Sequence, residues 1–261
     1  MFRAMSAAAS GMEAQEMRMS LIANNLANVN TTGFKRVRGE FQDLLYERVA
    51  SAGVSADGTQ GTPSGMQIGQ GVRPVATLRQ FTVGDLKRTG NSLDLAIEGA
   101  GFLQVAMPGG QVGYTRDGSL KIDAEGRLVN AEGYTIEPPL TFPSDTRDIL
   151  IASDGSVSVT RGSGADAVQV GKLELATFAN AAGLDALGHN LYAATSASGE
   201  PVLGTPTLDG VGRLSQGFLE MSNVKVVEEM IDLIATQRAY ETNSKVIQAA
   251  DEMLRTSAQL R

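Results

Sequence analysis

Two apolar spacings of seven residues, one at each end of the chain, confine this sequence to folds in which long terminal helices flank a different kind of middle. Over residues 5–30, Met5, Met12, Met19 and Leu26 recur every seventh position, and Ala8, Ile22 and Val29 fill most of the half-steps. Over residues 224–260, Val226, Leu233, Tyr240, Ile247 and Leu254 do the same, with Met230 and Ile234 beside them. A sustained spacing of this kind belongs to a helix whose seam faces another helix. At 1.5 Å per residue the segments would be roughly 40 and 55 Å long, more than one ordinary domain can cover. The sequence therefore predicts projecting helices that pack on each other, or on neighbouring copies, as a coiled-coil-like layer. Phe2, Val227, Ile231 and Met253 would be left for partners that a lone monomer lacks, so the ends are expected to be marginal or disordered alone and ordered in an assembly.

The middle is built on a different period. It is rich in the chain's 30 glycines and poor in aromatics, so it must use small side chains and many reversals. Short β-branched runs at 75–83, 93–97, 102–107, 119–122, 149–151, 156–160, 168–178 and 214–220 alternate with turn pairs at Asp117-Gly118, Glu125-Gly126, Glu132-Gly133 and Asp154-Gly155. That arrangement predicts an antiparallel β-domain, and the lack of strand-to-long-helix alternation disfavours a parallel sheet. The fold class expected is α+β. Asn30, Thr31, Thr32 and Gly33 supply a stop for the first helix. Residues 34–49 fit either a short helix or an extended arm. Residues 51–65 carry almost no large apolar side chain and read as a linker or as a segment ordered against a partner. Ser222 and Asn223 offer caps for the second helix. Glu228, Glu229 and Asp232 at its start and Arg255 and Arg261 at its end suit the helix dipole.

Several functional classes are excluded by what is scarce. A net charge of −7, with basic residues only in short clusters such as Lys35, Arg36 and Arg38, argues against a nucleic-acid partner. No stretch approaches the ~18 apolar residues of a membrane span. Residues 1–11 lack the charged region, apolar core and cleavage site of a secretory leader, so a location outside the cytoplasm would require another route. Without cysteine there is no disulfide, thiolate nucleophile or Cys-ligated metal, and the single His189 rules out a His-rich site. No cofactor is expected.

The remaining catalytic candidates have plainer explanations. Ser222 and Lys225 match a bare S-x-x-K spacing, but no partner motif accompanies them, and a cap plus a solvated lysine accounts for both. Asp117, Asp123, Glu125 and Asp154 do not form a twelve-residue calcium loop; tight turns favour the same residues. Ile68-Gly-Gln-Gly-Val and Gly99-Ala-Gly-Phe lack the third glycine and following helix of a dinucleotide fingerprint. His189 sits in a turn with no orienting partner identifiable for general-base work. Met5, Met12 and Met19 are seam residues whose thioethers also adapt to irregular neighbours. No pair of acids suggests a glycan hydrolase, and no catalytic residue is assigned.

The motifs resemble one family. Ile22-Ala-Asn-Asn-Leu-Ala-Asn-Val-Asn-Thr-Thr-Gly-Phe-Lys35 closely resembles the signature of the bacterial flagellar rod and hook axial proteins, carried by Asn24, Asn25, Leu26, Asn28, Thr32, Gly33, Phe34 and Lys35. Ser222-Asn-Val, Glu228-Glu-Met-Ile and Gln237-Arg-Ala-Tyr-Glu-Thr-Asn-Ser-Lys-Val-Ile247 look like its terminal helix, through Gln237, Arg238, Tyr240 and Asn243. Asn91-Ser-Leu-Asp-Leu-Ala-Ile-Glu-Gly-Ala-Gly-Phe and Tyr114-Thr-Arg-Asp-Gly-Ser-Leu are similar to its β-domain motifs. Gln104 and Leu120 depart from the commoner side chains there. Overall length, and the Gly/Ser-rich segment before Gly71-Val-Arg-Pro-Val-Ala-Thr, resemble distal-rod members more than proximal-rod or hook-type ones.

The resemblance implies four regions: residues 1–33 as an inner-tube helix, 34–70 as an arm, 71–220 as an outer β-domain and 221–261 as the second inner-tube helix. It implies a helical homopolymer crossing the periplasm as the drive shaft of the basal body. Assembly contacts would come from Met5, Met12, Met19, Ile22, Leu26, Val29, Val226, Met230, Leu233, Tyr240, Ile247 and Leu254. Rod stiffness would come from the segment marked by Tyr46, Pro63 and Gly65. The implied partners are proximal rod proteins, the hook protein, the periplasmic and outer-membrane rings and the flagellar type III export apparatus. The rival expectation from another class is an envelope adhesin or tail-like protein with a closed trimer of terminal helices.

Overall fold

The computed structural model describes residues 2–50, 65–143, 145–161 and 167–259. The chain divides into two compact units, the first made of Met1–Leu26, Val37–Leu78 and Lys225–Arg261, the second of Ala27–Arg36 and Arg79–Val224.

In the first unit, α1 spans Phe2–Ala27 and α2 spans Val226–Gln259. Between them in sequence lie β1 (Val37–Asp43), β2 (Glu47–Ala50), β3 (Met66–Ile68) and β4 (Val72–Arg79), with β1 paired to β4 and β2 to β3. Residues 34–49 thus resolve as an extended arm. Val37, Gly39 and Phe41 alternate half-buried with their neighbours in β1, and Gly39 lets the strand pass close to the Leu21 side chain. A two-stranded ribbon such as β2–β3 is marginal by itself.

Both terminal helices are present, but the expected coiled-coil-like layer is not. Of the seam positions, only Ala8 and Ile22 are buried, while Val226, Met230, Ile234 and Tyr240 are exposed. Polar contacts join α1 and α2: Asn25 Nδ2 reaches Glu229 Oε2 at 3.3 Å, Arg18 lies 3.8 Å from Asp232, and Gly11 faces the Asn243 carboxamide. The partners run in opposite order along the two helices. The physical reason lies in the phase of α2. Its buried positions are Glu229, Thr236 and Ala250, all small or polar, while of the apolar heptad Val226 and Tyr240 are exposed and Leu233, Ile247 and Leu254 only half-buried.

The second unit is antiparallel throughout its paired strands. These are β5 (Leu86–Arg88), β6 (Leu95–Glu98), β7 (Leu103–Ala106), β8 (Val112–Thr115), β9 (Lys121–Ile122), β10 (Leu128–Val129) and β11 (Thr135–Glu137). They continue as β12 (Thr146–Ile151), β13 (Ser156–Arg161), β14 (Ala167–Lys172), β15 (Leu175–Thr177), β16 (Asp185–Gly188), β17 (Leu191–Ala193), β18 (Val202–Gly204), β19 (Arg213–Gln216) and β20 (Phe218–Glu220). The largest sheet has the order β16-β17-β8-β7-β11-β10-β9, and β12-β13-β14 form a second. Late strands complete early ones: β19 pairs with β6 and β20 with β5. The core is aliphatic, with Leu95, Ile97, Leu103, Val105, Leu128 and Ile136 fully buried, beside an edge-to-face cluster of Phe81, Phe102, Tyr114, Phe178 and Tyr192.

Three of the four expected turn pairs do close hairpins, at β9–β10, β10–β11 and β12–β13. Asp117-Gly118 does not. Gly118 runs against the Leu95 carbonyl so closely that a Cβ would lie 1.6 Å from the oxygen, so the glycine serves a backbone crossing instead of a reversal. The run 168–178 breaks into β14 and β15, and 214–220 breaks at Gly217 into β19 and β20. Strands β8, β10, β11 and β16 to β18 were not visible as runs, since they are two to four residues long.

Candidate assembly site

The N-terminal signature builds a buried corner of the second unit. Gly33 donates its N–H to the Glu220 carbonyl at 2.8 Å, and Lys35 Nζ donates to the Glu220 carboxylate at 2.5 Å and to the Thr82 carbonyl at 2.6 Å. The same carboxylate accepts from Arg116 Nε at 2.9 Å and from the Gly84 N–H at 3.0 Å. Arg116 also donates to the carbonyls of Ile97, Gly99 and Gly101. Lys35, Arg116 and Glu220 are each no more than 2% exposed. Two cations thus share one buried anion, an arrangement tolerable only because backbone carbonyls take up the remaining N–H groups. Burial, and then the Arg116 charge, pull the Lys35 ammonium down to a pKa of about 8 against the opposing pull of Glu220.

Neighbouring signature residues close the corner. Phe34 is buried under the Arg79 guanidinium, which also lies 5.3 Å from the Tyr192 ring centre; burial pushes the Tyr192 hydroxyl above its ordinary range. Thr32 Oγ1 donates to Asp117 at 3.0 Å. Gly33 has φ +68°, and a Cβ there would meet the Arg116–Asp117 backbone at 2.8–2.9 Å. In the first unit, the Asn25 carboxamide bonds both the N–H and the carbonyl of Val37, at 3.0 and 2.9 Å. Asn28 accepts from the Thr31 hydroxyl, Leu26 is half-buried and Asn24 is exposed. The C-terminal signature differs in kind: Gln237, Arg238 and Tyr240 lie on the surface, and Asn243 faces Gly11.

Asn223 does not cap α2. Its Oδ1 accepts the Arg36 N–H at 2.7 Å, and its Nδ2 donates to the Gln80 carbonyl and the Thr82 hydroxyl, both at 2.8 Å. Nothing in the periodicity marks this role, which depends on residues more than 140 positions away. Ser222 Oγ accepts from the Val224 N–H, and Lys225 is exposed beside Glu228. Asp123 and Asp154 accept hydrogen bonds within their own turns; the Arg127 N–H holds the Asp123 carboxyl below the usual range, and the Ser156 hydroxyl, then its N–H, does the same for Asp154. His189 sits in its turn at φ +54° against Glu132. Among the described residues no group of three His, Cys, Asp or Glu side chains could hold a metal.

The surface carries two apolar features. Along the first turns of α2, Val226, Val227, Met230, Ile231 and Ile234 are all exposed, at spacings that share one side of the helix. On the arm, Leu45, Tyr46, Val49, Met66 and Ile68 are exposed on and beside the β2–β3 ribbon. Gly65 is exposed next to β3, and Pro63 lies outside the described residues. Apolar groups gathered on one face mark surfaces that meet a partner.

Three family descriptions cover this architecture in order. "Flagella basal body rod protein" matches residues 5–35, "Flagellar hook protein FlgE/F/G D1 domain" matches 96–159, and "Flagellar basal body rod FlgEFG protein C-terminal" matches 215–260. The chain is 48% identical to the flagellar basal-body rod protein FlgG of Buchnera aphidicola (Acyrthosiphon pisum) over 96% of both chains. It is 46% identical to that of Borreliella burgdorferi over 97% of both and 36% identical to that of Bacillus subtilis over the full length of both. This chain belongs to the flagellar basal-body rod protein family. As a member it is a structural subunit of the rod, located in the flagellar basal body, where it assembles with other rod and hook components. Its three matched stretches hold, respectively, α1 with the buried corner's lysine, the strands around Arg116, and Glu220 with α2. No described helix is long and apolar enough to cross a membrane.

Proposed function

We propose that this rod-family member is the subunit of the distal rod, polymerising into a helical tube that serves as the drive shaft across the periplasm and joins proximal rod to hook. The observation that carries the reading is the exposed apolar side of α2. Val226, Val227, Met230, Ile231 and Ile234 have no cover in the monomer, whereas Glu229 and Thr236 are turned inward. Burying such a face against a different patch on the next copy gives a heterologous contact, which extends without closing into a dimer. Met5, Met12, Met19, Leu26, Val29, Leu233, Tyr240, Ile247 and Leu254, all at least partly exposed, would contribute further contacts, and Ile22 would support them from beneath.

The exposed side chains beside β2 and β3 support a second part of the proposal, that residues 51–65 bridge subunits and stiffen the shaft, with Tyr46, Pro63 and Gly65 at or near its ends. Proximal rod proteins, the hook protein and the surrounding rings are the neighbours such a shaft would need, and the type III apparatus its exporter. Electron microscopy of the purified chain tests both parts. Long straight filaments are expected from the intact chain and flexible ones after deletion of 51–65. A fixed small oligomer from the intact chain refutes the tube, and straight, stiff filaments after deletion refute the bridge.

A further inference from the structure

The chain passes out of the second unit after Arg36, before Arg79 and after Val224. Arg36, Gln80 and Asn223 stand at these three places, and they are bonded to one another in a closed triangle. Asn223 Oδ1 accepts the Arg36 N–H, Asn223 Nδ2 donates to the Gln80 carbonyl, and the Gln80 N–H returns to the Arg36 carbonyl at 2.9 Å. A carboxamide offers one acceptor and two donors. Here the Thr82 hydroxyl takes the second donor, so every polar function is engaged across the chain.

We propose that Asn223 is a positioning residue for assembly: it fastens the start of β1, the end of β4 and the approach to α2 at one point, so that the apolar side of α2 is offered to neighbouring copies in a single arrangement. The proposal rests on the rod reading. Without the carboxamide the Arg36–Gln80 backbone bond remains, but the entry to α2 loses its bonds to both segments, and each contact between copies must also order it, which weakens association.

The test uses full-length Asn223→Ala. Amide exchange at Arg36 and Gln80 in the monomer should quicken while Ile97 and Val105 keep their protection. Cooperative melting should persist, and the critical concentration for filaments should rise at least about tenfold, equivalent to about 1.4 kcal/mol per added subunit. Thr82→Val, which removes one acceptor but spares the triangle, should polymerise as the unaltered chain does. Wild-type polymerisation by Asn223→Ala overturns the proposal, as does an equal loss in Thr82→Val. Loss of cooperative melting in Asn223→Ala also overturns it, because the residue would then be part of the core. If the unaltered chain forms no filaments, the rod reading itself fails, and unchanged exchange at Arg36 and Gln80 would independently overturn the fastener.

Discussion

Glu220→Gln should unsettle the second unit more than any other single exchange of similar size. The carboxylate accepts from Lys35, Arg116 and the Gly84 N–H, all inside the protein. Glutamine keeps the volume but removes the only anion, and it places an NH2 where one of these donors points. Removing one partner of a buried ion pair typically costs about 3–5 kcal/mol. For a unit of this size each kcal/mol lowers the melting temperature by roughly 2–4 °C, so the fall should be on the order of 6–20 °C, read by circular dichroism at neutral pH. pH supplies a second, signed readout. The folded-state pKa of Lys35 is about 8, below its ordinary 10.5, because burial disfavours the ammonium. Between those values the unfolded chain binds more protons at this lysine than the folded chain, so this group's contribution to stability rises with pH across that window. In Glu220→Gln the lysine loses its opposing acidic partner and should release its proton at lower pH, so the deficit should shrink as pH is raised. A melting temperature within 2 °C of the unaltered chain, or a deficit that widens from pH 7 to 9, would refute the account.

Gly33→Ala should lower the urea midpoint of the second unit. The left-handed backbone costs a non-glycine residue about 1–2 kcal/mol, and the new methyl would press on the Arg116–Asp117 backbone. An unchanged midpoint would show that the Arg116–Asp117 backbone can move aside. Ile231→Asp lies on the other side of the ledger. The residue is 61% exposed, so the monomer should melt within about 0.5 kcal/mol of normal. Filament formation should nonetheless be lost, because an unpaired carboxylate would have to be buried between copies. Sedimentation showing filaments at the usual concentration would remove α2 from the interface.

The sequence by itself determined the outline: two long helices, an antiparallel Gly-rich middle, and a family membership carried by residues 22–35 and 222–247. Those features are local, since helical period, turn chemistry and motif are all written in neighbouring residues. Roles that depend on distant partners were hidden. The heptads of α1 and α2 announced a mutual seam, yet in the structure the buried positions of α2 are Glu229, Thr236 and Ala250, while Val226 and Tyr240 of its heptad are exposed and Leu233, Ile247 and Leu254 half-buried. Asn25, Gly33 and Lys35 were legible as a signature but not as the tie to Val37, the backbone crossing and the buried cation that they are. Glu220 and Asn223 carried no sequence signal of their roles. A lone acid or amide acquires such a role only when the fold brings residues from both ends of the chain within hydrogen-bonding distance, and that proximity is a property of the tertiary structure alone.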